Sequence, residues 1–290
     1  MKIVKLKSLS LIAGGLCLLC SIPRFRPSPA GGEIVGRRPK PPTFIAHRGY
    51  SDRYPENTVR SILEAVDHGA EWVEIDVRWT RDRQPVLHHD ENLKNSLGLD
   101  RKVGDVTAAE IQARPINGSS EAVPTLERTM EAMADNRAKL YLHLKDGELS
   151  ADEARKLVTL CRAHDFLGRV RFNSGSFATL ERLRAEDPNI WLEFDLYDAK
   201  GLLWPNRLSR QDLLSIARLA VHSVGTFSFK IDDELVREAH RHGLLIDALV
   251  SARGMPFHAE NAAYREMLRL HVDEIMTDDI SRYLVKNRSL

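Results

Sequence analysis

The segment Trp72-Val73-Glu74-Ile75-Asp76-Val77-Arg78 alternates without a break. Positions 74, 76 and 78 share one face of a strand and are charged, while Val73, Ile75 and Val77 share the other. In a (β/α)8 barrel the apolar face would lie under the surrounding helices. Glu74 and Asp76 would then point inward, toward the C-terminal mouth where such barrels keep their chemistry. Two inward carboxylates repel each other and are hard to bury unless a cation sits between them. A solvated edge strand carrying ordinary charges is the alternative reading of the same residues.

The rest of the chain supports a barrel. Strand patterns cover Phe44-Ala46, Trp72-Trp79, Pro85-His89, Lys139-Lys145, Arg169-Phe172, Trp191-Leu196, Gly225-Ile231, Leu244-Val250 and Glu274-Thr277. Helical patterns fall between them, at Glu56-His68, Thr125-Asn136, Ala151-His164, Phe177-Ala185, Ser209-Ala220, Asp233-His242 and Ala259-Leu270. Strands alternating with helices from residue 43 to 285 predict a (β/α)8 TIM barrel, with a doubly wound open sheet as the structural alternative. Residues 91 to 123 break the rhythm. They are polar, contain Gly98, Gly104 and Gly118, and are expected to form a small insertion at the mouth.

A basic stretch (Lys2, Lys5, Lys7) precedes an apolar run from Leu9 to Ile22, too short for an ordinary membrane span but suited to a signal-peptide core. Residues 1–30 are therefore expected to be a signal peptide or a retained membrane anchor. The chain would then be periplasmic, secreted or membrane-anchored. Ser28-Pro29-Ala30 is the best small-x-small cleavage candidate, and Leu19 before Cys20 fits a lipoprotein site poorly. Residues 31–42 continue a proline-rich linker: six of the 13 prolines lie between residues 23 and 42. The charge balance of 42 Lys+Arg against 41 Asp+Glu gives none of the basic excess of a nucleic-acid binder. Of three cysteines, only Cys161 lies in the body, so no disulfide forms there if the leader is removed.

Two histidines complete the chemistry. His47 and His89 both sit at expected strand ends, and imidazole exchanges protons near neutral pH. With Arg48, Glu74 and Asp76 they make the set that a phosphodiester bond needs: a cation and a guanidinium to neutralise the phosphate, and two proton carriers for its oxygens. His88 must face away from His89 and reads as structural, as do the remaining scattered histidines.

Taken together, His47-Arg48-Gly49, Pro55-Glu56-Asn57-Thr58, Glu74-Ile75-Asp76 and Pro85-Val86-Leu87-His88-His89-Asp90 resemble the glycerophosphodiester phosphodiesterase family. Val123-Pro124-Thr125-Leu126, the unit from Phe172 to Pro188, and Val272-Asp273-Glu274-Ile275-Met276-Thr277-Asp278 extend the likeness through almost the whole body. The resemblance implies a TIM barrel that hydrolyses glycerophosphodiesters to glycerol 3-phosphate and an alcohol, using one divalent cation. It implies His47 and His89 as the acid–base pair and Arg48 and Lys145 as phosphate contacts. Glu74 and Asp76 would be metal ligands. Glu56 and Asn57 would shape the first loop and helix start. In the family scheme the neighbouring glycerol hydroxyl attacks phosphorus and water then opens a cyclic phosphate.

The chain departs from the family pattern in two places. Where the family carries a third acidic ligand, Leu142-His143-Leu144-Lys145 offers His143. Ca2+ or Mg2+ is the family expectation, but imidazole suits Mn2+ or Zn2+ better. His143 as a ligand, Glu193 as a replacement acid, and a weakened site are the three readings. The penultimate strand, Leu245-Ile246-Asp247-Ala248-Leu249-Val250, lacks the family's tryptophan. Trp79, Trp191 and Trp204 are candidates for the mouth or, more ordinarily, for the core. The expected partner is a glycerophosphodiester or lipid headgroup, with membrane association through the N-terminus. A phospholipase-D-like lyase forming cyclic phosphates is one alternative, though it tends to lack the insertion. A catalytically impaired barrel that binds phosphorylated ligands is the other.

Overall fold

The computed structural model describes residues 40–196, 210–250 and 257–287. The N-terminal apolar segment, most of the linker and Trp204 lie outside these.

Nine strands form one sheet: β1 (Thr43–Ala46), β2 (Trp72–Trp79), β3 (Pro85–Leu87), β4 (Lys139–Leu144), β5 (Val170–Ser174), β6 (Trp191–Asp195), β7 (Ser223–Phe227), β8 (Leu245–Leu249) and β9 (Glu274–Thr277). Eight of them close into a parallel ring. β1 pairs with β9 (Ile45 opposite Met276) and with β2 (Ile45 opposite Trp72). The barrel reading holds and the open sheet does not. The helices are α1 (Val59–Asp67), α2 (Lys94–Leu97), α3 (Ala108–Gln112), α4 (Leu126–Ala132), α5 (Ala151–Ala163), α6 (Phe177–Glu186), α7 (Arg210–Arg218), α8 (Asp233–Arg241), α9 (Phe257–Leu270) and α10 (Ile280–Asn287).

Alternation in β2 has the expected consequence. Val73, Ile75 and Val77 join the main core between ring and helices, with Ile62, Leu140, Leu157 and Phe172. Glu74 and Asp76 are equally buried, but on the ring's inner side. The barrel floor is ionic. The Arg171 guanidinium lies among the rings of Trp72, Tyr141 and Trp191, at 4.5, 5.0 and 5.1 Å. It also binds Glu274 through two nitrogens at 2.5 and 2.7 Å and Glu193 at 2.9 Å. Trp191 is thus part of the floor and Trp79 part of the core.

Several elements differ from the sequence expectation. β3 ends at Leu87 and runs antiparallel to β2, outside the ring. From it springs the insertion, which is less polar than its composition suggests: Val86, Leu93, Leu97, Val103, Val106, Ala108, Ile111 and Val123 form a small core of their own. β7 starts at Ser223, and Ser228–Lys230 is a 3-10 turn that leaves Phe229 76% exposed. α1 begins later than expected because Pro55-Glu56-Asn57 is a loop. Thr58 caps the helix, accepting from the Ser61 amide, and the Ser61 side chain reaches back to the Thr58 amide.

Candidate active site

The turn after β1 carries His47 and Arg48. Arg48 adopts φ 55°, a strained value for a non-glycine residue that the surroundings must enforce. Gly49 follows at φ 81°, and a Cβ there would lie 2.4 Å from Ser61 Oγ and 2.6 Å from its carbonyl carbon. Only glycine lets the turn press on α1 this closely. The Arg48 amide then donates to Glu74 Oε2 at 2.9 Å.

Three donor atoms converge inside the mouth. Glu74 Oε1, Asp76 Oδ1 and His143 Nδ1 lie within 4.8 Å of one another. Neither Glu74 Oε1 nor Asp76 Oδ1 accepts a hydrogen bond of normal geometry, although both are buried. The nearest groups to Asp76 Oδ1 are His143 Nδ1 at 3.4 Å and Lys145 Nζ at 3.5 Å. Buried carboxylate oxygens that accept no well-formed hydrogen bond, facing an imidazole nitrogen, fit a divalent cation. The second oxygens are occupied. Asn57 clamps Asp76 twice, its amide donating to Oδ2 and its carbonyl accepting from the Asp76 backbone, both at 2.9 Å. Arg48 Nε makes an ion pair with Asp76 Oδ2 at 3.1 Å, at an angle short of a hydrogen bond, and Nη1 binds Glu56 at 3.1 Å. Asn57 and Glu56 therefore do more than shape a loop.

The two carboxyls are held differently. Burial and the neighbouring Asp76 push Glu74 up. Burial pushes Asp76 up as well, but Lys145 and Arg48 overcome it and hold Asp76 well below the usual carboxylate range. Burial and Lys145 oppose protonation of His143. Asp195 and Asp76 outweigh them and raise it to about 9.

Each of the two histidines, His47 and His89, is oriented by a carboxylate. His47 Nδ1 lies 2.6 Å from Asp278 Oδ1, and Ser51 Oγ donates to the same oxygen at 2.9 Å. A carboxylate can only accept, so Nδ1 carries the hydrogen and Nε2 faces the site, 4.0 Å from Glu74 Oε2. His89 Nδ1 likewise lies 2.7 Å from Asp90 Oδ1. Its backbone carbonyl accepts from Arg78 Nε and Nη2 at 2.9 and 2.8 Å, while Arg78 Nη1 binds Asp146 at 2.5 Å. Burial, with Lys145 and Arg48 nearby, lowers the His89 pKa below the ordinary imidazole value. His88 turns away to Ser96 and the Asp90 carbonyl, as alternation requires.

All seven residues singled out in the sequence thus line the mouth: His47, Arg48, Glu74, Asp76, His89, His143 and Lys145. Glu193 does not serve as the replacement acid. It is committed to Arg171, Tyr141, Asn173 and Ser223 in the floor. The acid of β6 that reaches the site is Asp195, one step higher on the same face, whose Oδ2 lies 2.9 Å from His143 Nε2. Asp195, Asp278, Asp90 and Arg78 were missed as site residues, although alternation marks Asp195 and Arg78 as inward and Asp278 closes a quoted motif. Beside His89, a cleft of about 440 Å3 opens between the first loop and the insertion, lined by Ser51, Tyr54, Asp90, Ser96 and Asn117.

Comparison with known proteins gives one family. A profile of the glycerophosphoryl diester phosphodiesterase family matches residues 47–282. The glycerophosphodiester phosphodiesterase of Caldanaerobacter subterraneus subsp. tengcongensis is 28% identical over 243 residues, covering 81% of this chain and 93% of that protein. Human glycerophosphodiester phosphodiesterase 1 is 29% identical over 157 residues, 50% of this chain and 47% of its own length. Among solved structures, a phosphodiesterase from Oleispira antarctica in complex with the product sn-glycerol-3-phosphate superposes with a TM-score of 0.73 at 22% identity, covering 85% of this chain and 97% of that one.

Proposed function

Starting from the fact that this chain belongs to the glycerophosphoryl diester phosphodiesterase family, we propose how its own residues carry out the reaction. The chain is a phosphoric diester hydrolase that converts glycerophosphodiesters to glycerol 3-phosphate and an alcohol. The observation that carries our assignment of roles is the convergence of Glu74 Oε1, Asp76 Oδ1 and His143 Nδ1 beneath a carboxylate-oriented histidine.

Glu74, Asp76 and His143 hold one divalent cation, which when bound neutralises phosphate charge and acts as a Lewis acid. Arg48 and Lys145 contact the phosphate oxygens, and their charges also keep Asp76 ionised. His89, kept neutral by burial, accepts the proton of the glycerol hydroxyl beside the ester. That oxygen attacks phosphorus. His47, with Asp278 stabilising its cationic form, donates from Nε2 to the departing alcohol. The two imidazoles then exchange roles as water opens the cyclic phosphate. Asn57 holds Asp76 at fixed orientation throughout.

The test is hydrolysis by the purified full chain, stripped with chelator and then given Ca2+, Mg2+, Mn2+ or Zn2+ in turn. Release of glycerol 3-phosphate, restored by metal and abolished by His47→Ala and by His89→Ala, supports the assignment. A stable cyclic phosphate as sole product would instead make the chain a lyase, and full turnover by His47→Ala would overturn the acid–base scheme.

We further propose that the enzyme is exported or tethered to a membrane through Leu9–Ile22, on the strength of the preceding lysines and the proline-rich linker. Among the described residues no helix is long and apolar enough to cross a membrane. Recovery of the full-length chain, leader intact, in the cytosolic fraction would overturn this.

A further inference from the structure

The imidazole of His143 sits between two sets of carboxylates, and each of its nitrogens faces a different one. Nε2 lies 2.9 Å from Asp195 Oδ2. Nδ1 lies 3.4 Å from Asp76 Oδ1 and 3.7 Å from Glu74 Oε1. Because a carboxylate only accepts, the Asp195 contact places a hydrogen on Nε2. In the neutral ring the lone pair is then on Nδ1, aimed at the two buried oxygens that accept no proper hydrogen bond. Asp195 stands behind the ring and is no member of the converging set, which comprises Glu74, Asp76 and His143. This is the arrangement by which a carboxylate fixes the tautomer and angle of a metal-binding imidazole and raises its basicity.

The donor set also bears on which ion fits. Ca2+ takes six to eight oxygen ligands, and Mg2+ holds oxygen in a strict octahedron. Here two side-chain oxygens are offered, and the backbone carbonyls of β2 and β4 are engaged in the sheet. An imidazole nitrogen as third donor favours a first-row transition ion.

We propose that Asp195 is a positioning residue that makes His143 a metal ligand through Nδ1, and that the resulting two-carboxylate, one-imidazole centre selects Mn2+ or Zn2+ over Ca2+ and Mg2+. This rests on the reading of Glu74, Asp76 and His143 as the metal centre. The experiment is calorimetric titration of the metal-stripped full chain with Mn2+, Zn2+ and Ca2+, together with pulsed electron paramagnetic resonance of the Mn2+-loaded protein. Wild type binds Mn2+ and Zn2+ about 100-fold or more tighter than Ca2+, and the Mn2+ spectrum shows coupling to an imidazole nitrogen. His143→Glu abolishes the nitrogen coupling and swings the preference toward Ca2+. Asp195→Ala weakens Mn2+ binding by about 10- to 100-fold in the wild-type background but adds nothing in the His143→Glu background, where no ring remains to be oriented. Should Asp195→Ala fail to fold, Asp195→Asn, which keeps an acceptor oxygen, gives a smaller loss with the same dependence on His143.

Mn2+ bound without nitrogen coupling, or Ca2+ bound as tightly as Mn2+, overturns the proposal. An equal effect of Asp195→Ala in both backgrounds overturns the positioning role. Neither result touches the assigned reaction, which fails separately if the metal-loaded protein does not turn over glycerophosphodiesters.

Discussion

Replacing Asp278 with asparagine tests whether His47 works as a proton carrier. The substitution keeps the side-chain shape and removes one charge. The bond it alters is short, 2.6 Å between His47 Nδ1 and Asp278 Oδ1, and it is shielded: the two side chains are 11% and 13% exposed. A hydrogen bond to a charged partner contributes about 1.5–3 kcal/mol. In the reaction that contribution grows as His47 becomes cationic, and each 1.36 kcal/mol is tenfold in rate, so kcat should fall by roughly 10- to 150-fold. The Ser51 hydroxyl, which donates to the same oxygen at 2.9 Å, helps keep the asparagine carbonyl toward His47. If the amide flips instead, it forces the hydrogen onto Nε2 and the loss lies at the upper end. The assay is steady-state turnover of a glycerophosphodiester at saturating metal, with urea unfolding to confirm an intact fold. A kcat within twofold of wild type in a folded variant would refute the role given to His47 and Asp278 together.

Because burial lowers the His89 pKa, this base stays neutral to lower pH than an ordinary imidazole. The acid limb of kcat/KM should therefore lie below about 6.5, and a limb above 7 would contradict the assignment. Gly49→Ala places a Cβ against Ser61 at positive φ, and should cost more than about 2 kcal/mol in urea unfolding while Gly98→Ala, at positive φ in open space, costs less. Asp247 is buried with both oxygens lacking partners, and burial with Glu193 and Glu274 raises its pKa well above the usual range. The folded state thus holds this proton where the unfolded state has lost it, so stability is fullest at low pH and declines as pH rises through the raised value. Asp247→Asn should remove that part of the decline as pH rises above the ordinary carboxylate range; an unchanged pH profile would show that Asp247 is not its source. Arg171→Met leaves Glu193 and Glu274 buried without their cation and should cost about 3–5 kcal/mol or prevent folding, a loss within 1 kcal/mol being the refuting result.

The ring was legible because short apolar strand patterns alternate with helical ones from residue 43 to 285, and period-two alternation in β2 placed Glu74 and Asp76 inward. Periodicity says which face a side chain occupies but not its height inside a sheared barrel. That is why Glu193 was a reasonable candidate and Asp195, two residues on, is the one at the mouth. Long-range partners were illegible for a related reason. His47 and Asp278 lie 231 positions apart, and only closure of β1 onto β9 joins them. Phe227-Ser228-Phe229-Lys230-Ile231 alternates like a strand, yet it turns, because β7 had already started at Ser223, whose hydroxyl is spent on Glu193 and gave no apolar signal. The insertion's core was hidden by the polar residues around it.

The two proposed proton carriers have different lineages within the fold. His47 hangs from β1, a member of the closed ring, whereas His89 follows β3, the antiparallel strand outside it that leads into the insertion. The three proposed metal donors all belong to ring strands, and the cleft beside His89 is walled by the insertion. A descendant of this chain could therefore redraw that wall while inheriting the ion-binding half untouched. The Arg78 grip on the His89 carbonyl, beside the β2–β3 ladder, is a joint across which such remodelling would have to keep its alignment.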